Sequence, residues 1–383
     1  MQNILIVHNH YRIPGGEDTV AENEAKLLAT HGHKVIRYER DNSEDCSKLS
    51  LFLNMFFSFR TYSEVRRLIR KEKIDVVHVH NTLFLISPAV YYAAVSKGVP
   101  IVQTMHNFRL LCPAATFFRN GRVCEDCVRH GSACAIKGRC YRGSRLQTAA
   151  VMLMNRLHLK TGIYKKVNFI CLTKFNKEKL LMLNRGAEVI DPEKIYIKPN
   201  FTERPDVEKQ KKPGDYYLVL GRIERLKGSA LIAKAFAKNG RKLIFAGDGE
   251  QKEALEQYIK RKGINNIECV GRLDHEEAME LLSAAKALIV APQWYETFGM
   301  GVIEAFSLGV PVIAADFGNP ASLITDGVNG VKFVNSVKGL NAAIERFESL
   351  DRDELSKDAY EEYERRYSPE MNYKKLKEIY DRL

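Results

Sequence analysis

Residues 287–309, ALIVAPQWYETFGMGVIEAFSLG, decide the fold. Five apolar residues, Ala287–Ala291, read as a strand buried on both faces, and Pro292 ends it. A loop carrying Trp294, Tyr295 and Glu296 follows, and Gly299 and Gly301 open a helix that stops at Gly309. The next apolar run, Val310–Ala314, begins at once. Strand, loop, helix and strand in this order form the unit of a parallel α/β sheet.

The same alternation extends outward. Upstream, Tyr216–Leu220, Lys242–Ala246 and Ile267–Val270 read as strands, with helical periodicity over Gly228–Ala237, Gln251–Lys262 and His275–Ala284. An earlier series holds the strands Ile4–Val7, Val76–Val79, Ile101–Thr104 and Phe169–Thr173, with helices over Thr19–Thr30 and Ser63–Glu72. The polar, proline-containing stretch Lys198–Gly214 separates the two series and reads as a linker. Ser368-Pro369 starts a terminal helix reaching Leu383. The fold class is α/β, two doubly wound domains.

Composition agrees. At roughly 150 residues per domain, 383 residues make about two to three domains. With 45% hydrophobic and 28% charged residues, disorder and fibrous structure are excluded. No run of eighteen apolar residues exists to span a bilayer. The opening MQNILIVHNHYR reads as a strand rather than a secretory leader, so a cytoplasmic location is expected. Lys and Arg number 59 against 47 Asp and Glu, a net +12 that implies an anionic partner. Between Arg119 and Lys166, eleven Lys or Arg face two acidic residues, a local net of +9.

Ligands of open α/β sheets sit at the carboxyl ends of strands, near helix N-termini. Four segments there have chemistry suited to phosphate or sugar. Gly15-Gly16-Glu17-Asp18 is a paired-glycine turn whose N–H groups suit an anion nest, although it is not the G-x-G-x-x-G dinucleotide fingerprint. Gly221-Arg222, followed by Lys227-Gly228, offers a guanidinium fork and a point charge for a diphosphate. Gly247-Asp248-Gly249 is a third strand-end glycine turn. The fourth is the opening stretch, where Glu296 and Glu304 flank a glycine-opened helix start; carboxylates accept hydrogen bonds from sugar or ribose hydroxyls.

Taken in order, these motifs resemble the retaining glycosyltransferases of family 4. The resemblance rests on Glu296-x7-Glu304 with Phe298-Gly299 between, Gly221-Arg222 with Lys227-Gly228, Gly247-Asp248-Gly249, Gly15-Gly16-Glu17 and Thr104-Met105-His106-Asn107. It covers the chain from the first strand to about Pro311. It implies the GT-B fold: two Rossmann-like domains facing across a cleft, with the last helix crossing back to the first domain. The implied domains are 1–198 with a Cys-rich basic insertion at about 109–145, joined by 369–383, and 199–368.

The resemblance also implies roles. Glu304 holds the ribose of a nucleotide-diphosphate sugar, and Glu296 the hydroxyls of the donor sugar. Backbone around Phe298, Gly299 and Met300 receives sugar and diphosphate. Arg222 and Lys227 neutralise the leaving diphosphate, with Gly249 nearby. The base lies against Val270 and Arg272, and Gly15 and Gly16 border the diphosphate. His106 approaches the donor sugar or the acceptor; His78, His80, Glu17 and Asp18 are further acceptor-side candidates. The catalytic group is thus His106, Arg222, Lys227 and Glu296, with no named base and no catalytic metal expected, because Arg222, Lys227 and helix amides take the charge.

Five of eight cysteines fall within 29 positions, including one C-x2-C. Cys112, Cys124, Cys127 and Cys140 are expected to hold a structural zinc, with Cys134 spare and Cys46, Cys171 and Cys269 as small hydrophobes. A zinc-knuckle nucleic-acid-binding protein is the alternative, but it leaves the second domain's phosphate motifs without a use, so no nucleic-acid partner is expected. A nucleotide-sugar epimerase lacks a reason for Glu296 and Glu304. Leu49–Phe59 with the arginines to Arg70, and Leu146–Lys166, mix apolar and cationic residues. They suit an anionic membrane surface, so the expected acceptor is a saccharide or lipid-linked sugar at the inner face of the plasma membrane.

Overall fold

The computed structural model describes residues 1–11, 15–42, 48–207 and 214–383. The chain forms two compact units: Met1–Arg119, Cys124–Pro199 and Tyr373–Leu383 make the first, and Asn120–Val123 with Asn200–Asn372 the second.

The first unit is built on a six-stranded parallel sheet. Its strands are β1 (Asn3–His10), β2 (Lys34–Asp41), β3 (Val76–Val79), β4 (Ile101–Met105), β5 (Val167–Cys171) and β6 (Ile195–Ile197), in the order β2-β1-β3-β4-β5-β6. Alternate residues of β1 serve opposite faces, as strand geometry requires. Ile4 and Ile6 pack with Ala25 and Leu28 of helix Gly16–Thr30 and with Leu376, Ile379 and Tyr380 of the terminal helix. Leu5 and Val7 pack on the other side with Val65 and Ile69 of helix Phe59–Glu72. The terminal helix Pro369–Tyr380 therefore completes the core of the first unit from Tyr373 onward.

The second unit holds β7 (Tyr217–Leu220), β8 (Leu243–Ala246), β9 (Ile267–Gly271), β10 (Leu288–Val290), β11 (Val312–Ala315) and β12 (Gly330–Phe333). Their order is β9-β8-β7-β10-β11-β12, all parallel. This is the Rossmann order, with the direction of winding reversing between β7 and β10. Tyr217, Val219, Phe236, Phe245, Ile289, Ile313, Leu340 and Phe347 are among the residues that fill its core.

In the two six-stranded sheets, three strands go beyond the sequence expectation: β2, β6 and β12. All three are sheet edges. An edge strand is half-solvated, so KVIRYERD in β2 mixes charge with apolar residues and lacks the continuous run of a buried strand. The expected linker needs a correction as well. Lys198, Asn200 and Phe201 are buried, and Lys198 N–H donates to Cys171 O at 3.0 Å.

Leu376 is fully buried between the terminal helix and the first sheet. Leu376→Ala should lower stability by about 2–5 kcal/mol, read as a shift in urea midpoint without a change in slope.

Candidate functional site

In the second unit, the loops after β7 and β10 meet at the point where the winding reverses. They are knit through backbone. Gln293 N–H donates to Leu226 O at 2.8 Å. Gly228 has φ +77°, and a Cβ there would stand 2.1 Å from Ala291 O, so only glycine fits. This close approach brings Lys227 Nζ to 2.5 Å from Glu296 Oε1, the two side chains 30% and 17% exposed. Asn319 Nδ2 donates to Glu296 O at 2.6 Å and fixes the loop from the far side.

Gly299, at φ +119°, caps helix Met300–Ser307 and leaves its first N–H groups at the same loop. Glu304 follows in that helix. Burial pushes its carboxyl above the ordinary range, while His275 and Lys227 pull the other way. Lys227 thus acts on Glu296 and Glu304 together. Phe298 is buried, with its ring against Tyr367, and Asn200 Nδ2 lies 3.6 Å from Met300 Sδ, so what Phe298 offers a ligand is backbone. Trp294, the chain's single tryptophan, has a buried Nε1 without a partner. Sequence reasoning gave Trp294 no role; its lone presence in the deciding loop was the only available signal.

The remaining expected residues of this unit make other contacts or face solvent. Arg222 is 69% exposed and bonds Glu224 at 3.0 Å. A Cβ at Gly249 would fall 2.6 Å from Ile223 O, so this glycine already has a structural reason. Val270 and Arg272 are exposed at the end of β9.

In the first unit, Gly15 is an extended N-cap rather than part of a left-handed nest, and its N–H donates to Asp18 Oδ2 at 2.8 Å. Gly16 has open space around it. Asp18 Oδ1 meets His8 Nε2 at 2.9 Å and His10 Nδ1 at 3.1 Å. Beside it, Tyr11 Oη donates to Glu17 Oε2 at 3.2 Å, while Glu17 Oε1 is buried without a partner. Burial pushes the Glu17 carboxyl up to about 8, against Arg109 and the Tyr11 and Asn107 hydrogen bonds. His106 lines a cavity of about 70 Å³ with His80, Asn81, Asn107 and Arg109, and burial holds it neutral, down to about 3.

Two families of sequence match this chain. Glycosyl transferases group 1 matches residues 200–366, and Glycosyltransferase Family 4 matches residues 14–123. The chain belongs to glycosyltransferase family 4. An uncharacterised glycosyltransferase of Methanocaldococcus jannaschii is 22% identical over 403 residues, covering 100% of this chain and 99% of the relative. Among solved structures, a Rickettsia africae glycosyltransferase aligns with TM-score 0.70 at 16% identity, over 100% of this chain and 98% of that one. HepE of Anabaena, in complex with UDP and glucose, aligns at TM-score 0.64 and 17% identity over the full length of both chains. The fold is GT-B, and the enzyme is a transferase of class EC 2.4. The nucleic-acid-binding alternative gives way to this.

In this glycosyltransferase the cysteines are neighbours without forming a ligand cluster. Cys127 is pushed up to about 12 by burial and by Cys112, Cys140, Cys124 and Cys134. Backbone N–H groups of Phe117, Ala114 and Thr116 donate to Cys112 Sγ. Among the described residues, the groups whose ligand atoms all lie within 4.8 Å are His8–His10–Asp18 and Glu24–His78–His80; the cysteines make none. Ion pairs also tie the insertion: Glu125 to Lys179 and, at 2.8 Å, to Arg129, and Arg119 to Asp126. Cys171 is buried and Cys269 half-buried, whereas Cys46 lies outside the described residues.

Glu17 gives this glycosyltransferase a pH signature. Its folded carboxyl keeps a proton that the unfolded one loses near 4.5. Above that pH the folded state binds more protons than the unfolded, so stability falls as pH rises toward about 8. Glu17→Gln should abolish this fall, read as a flatter dependence of Tm on pH between the two values.

Proposed function

We propose that this glycosyltransferase is a retaining enzyme that moves a sugar from a nucleotide-diphosphate sugar to an acceptor hydroxyl. The acceptor is a lipid-linked or growing saccharide in cell-surface polysaccharide synthesis. The observation that carries the reading is the Lys227–Glu296 pair beside the buried Glu304, at the winding reversal of the second sheet.

In this reading the pair opens on donor binding. Lys227 turns to the diphosphate, and Arg222, already at the surface, joins it. As the glycosidic bond breaks, charge grows on the leaving diphosphate and the sugar passes through an oxocarbenium-like state. Lys227 and the N–H groups at the start of helix Met300–Ser307 oppose that charge. Glu296, freed from Lys227, accepts the sugar hydroxyls, and Glu304 accepts those of the ribose. His106, held neutral, takes a sugar hydroxyl. Glu17, protonated at neutral pH, donates a hydrogen bond to the acceptor. HepE is described with UDP and glucose, so UDP-sugars head the panel of donors to try.

The membrane surface has its own support. Helix Lys48–Phe56 packs by Met55 and Phe56 against Val151 and Met154 of helix Arg145–Lys160. Outward, Phe52, Leu53, Phe59, Leu146, Leu153 and Leu157 are exposed, among the exposed Arg60, Arg67, Arg145, Arg156 and Lys160. Apolar side chains rimmed by cations suit anionic lipid. No helix among the described residues is long and apolar enough to cross a membrane. Structural zinc at Cys112, Cys124, Cys127 and Cys140 is also proposed, supported by the C-x2-C and the N–H donors on Cys112. A zinc bound by these four thiolates would fix the Cys-rich insertion.

Release of nucleoside diphosphate from a donor panel tests the activity. Lys227→Ala should lower kcat by about 10²-fold, and Glu304→Ala should raise the donor KM by about tenfold. Unchanged kinetics in Glu304→Ala would overturn the ribose assignment. Flotation with anionic vesicles at low salt should recover the enzyme, and Phe59→Glu with Leu153→Glu should release it. Metal analysis should find one zinc per chain, and a chelator should lower Tm; metal-free protein with an unchanged Tm would remove the zinc.

A further inference from the structure

Beneath the first unit's sheet ends lies a polar cluster that the transfer chemistry above leaves unused. Glu24, of helix Gly16–Thr30, is fully buried, and its Oε2 accepts from Lys198 Nζ at 2.7 Å. Burial opposes its ionisation, but the Lys198 ammonium beside it outweighs this and holds the carboxyl below its ordinary value. Glu24 is therefore an acceptor only.

Its other oxygen, Oε1, has no hydrogen-bond partner, and neither has Nε2 of His80. These two orphaned atoms stand 3.5 Å apart, both wholly buried. His78 Nδ1 is closer to Oε1, at 3.1 Å, but its hydrogen bond runs to Tyr380 Oη at 2.6 Å, and its Nε2 pairs with Thr104 Oγ1 at 2.8 Å. A carboxylate oxygen and an imidazole nitrogen left facing each other in a dry site satisfy one another when the nitrogen carries the proton. His80 is accordingly protonated on Nε2.

The second nitrogen of His80 follows from the first. All three rings are neutral: burial pulls His78 down to about 4, His106 to about 3 and His80 well below its ordinary value. A neutral imidazole has one donor and one acceptor. With its proton on Nε2, His80 must accept at Nδ1, which lies 2.9 Å from His106 Nε2. His106 then donates from Nε2, and its Nδ1 is left bare.

We propose that Glu24 and His80 are positioning residues that lock His106 in the Nε2–H tautomer. Its Nδ1 thereby accepts a hydrogen bond from a sugar hydroxyl in the cavity that His106 lines. This rests on the reading that His106 meets a sugar. The selectivity is for a donor: a hydroxyl fits Nδ1, whereas an ether or carbonyl oxygen at that place finds a lone pair opposing its own.

Long-range proton–nitrogen correlation on histidine-labelled, substrate-free enzyme at neutral pH reads the tautomers directly. His106 and His80 should both carry the proton on Nε2; a proton on His106 Nδ1 overturns the proposal. The double substitution Glu24→Leu with Lys198→Met removes both charges and leaves His80 Nε2 with no acceptor, so its proton is better placed on Nδ1 towards His106. It should invert both tautomers and lower kcat by about 10²-fold, with the donor KM held. Should this variant not fold, His106→Asn and His106→Gln decide: Asn sets its amide near Nδ1 and should retain more activity than Gln. Equal loss in both overturns the proposal. The Nε2–H tautomer together with full activity in His106→Ala would instead remove His106 from the sugar, the reading beneath it.

Discussion

Two opposite charges buried together govern the first unit. Glu24 and Lys198 are both cut off from water, and each ion gives up several kcal/mol of effective hydration, so neither is tolerable alone. Their contact at 2.7 Å joins positions 174 residues apart in the chain, and with them helix Gly16–Thr30 and the end of β6. It also sets the electrostatics for what surrounds it. The carboxylate would favour protonated imidazoles, the ammonium opposes them, and burial decides in favour of neutral rings. Without Lys198, Glu24 would compete for protons with His78 and His80. With Lys198, the carboxylate is a fixed acceptor, and the hydrogen bonds beyond it acquire a direction.

The second unit uses the same two residue types to the opposite end. Lys227 and Glu296 meet at 2.5 Å, yet both keep contact with solvent. A pair of this kind contributes about 0–1 kcal/mol and can be separated by a ligand at little cost. The backbone around it, in contrast, is tightly fixed. Gly228 against Ala291 O and Gly247 against Gly221 O, where a Cβ would stand 1.9 Å away, leave no room for adjustment. Rigid loops thus carry a part-exposed cation and anion, whereas the first unit's pair is sealed from water.

Much of this was readable from the sequence, and the boundary of what was not has a physical basis. Strands buried on both faces announce themselves as apolar runs, and β1, β3, β4, β7 and β10 were found within a residue or a few. Edge strands β2 and β6 carry solvent on one side and lose that signal, whereas β12, GVKF, is buried but too short and lysine-interrupted to make an apolar run. The Lys227–Glu296–Glu304 grouping was legible because its residues lie in the loops after two adjacent strands and in the helix that follows, where a family pattern could be matched. Glu24, the β3-end pair His78 and His80, and Lys198 come from three places far apart in the chain, and only the folded sheet brings them together. Lys198 was read as linker for this reason. Glycines also answer to the fold itself: a Cβ at Gly249 would meet Ile223 O, and Gly15 gives its N–H to Asp18.

Four glutamates then show how environment divides one functional group among different tasks. Glu24 is buried beside an ammonium and stays ionised, a permanent acceptor. Glu17 is buried with only partial compensation from Arg109 and Tyr11, and it keeps its proton to about 8, which makes it a donor at neutral pH. Glu304 is buried, and burial raises its carboxyl above the ordinary value while His275 and Lys227 pull it back. Glu296, half-buried against Lys227, is ready to change partners. The motifs legible in the sequence include Glu17, Glu296 and Glu304. Glu24 lies in none of them, and its placement beside Lys198 and the histidines is one that no local pattern records. The chemistry of the site therefore depends as much on where the fold withholds water as on which carboxylates the sequence supplies.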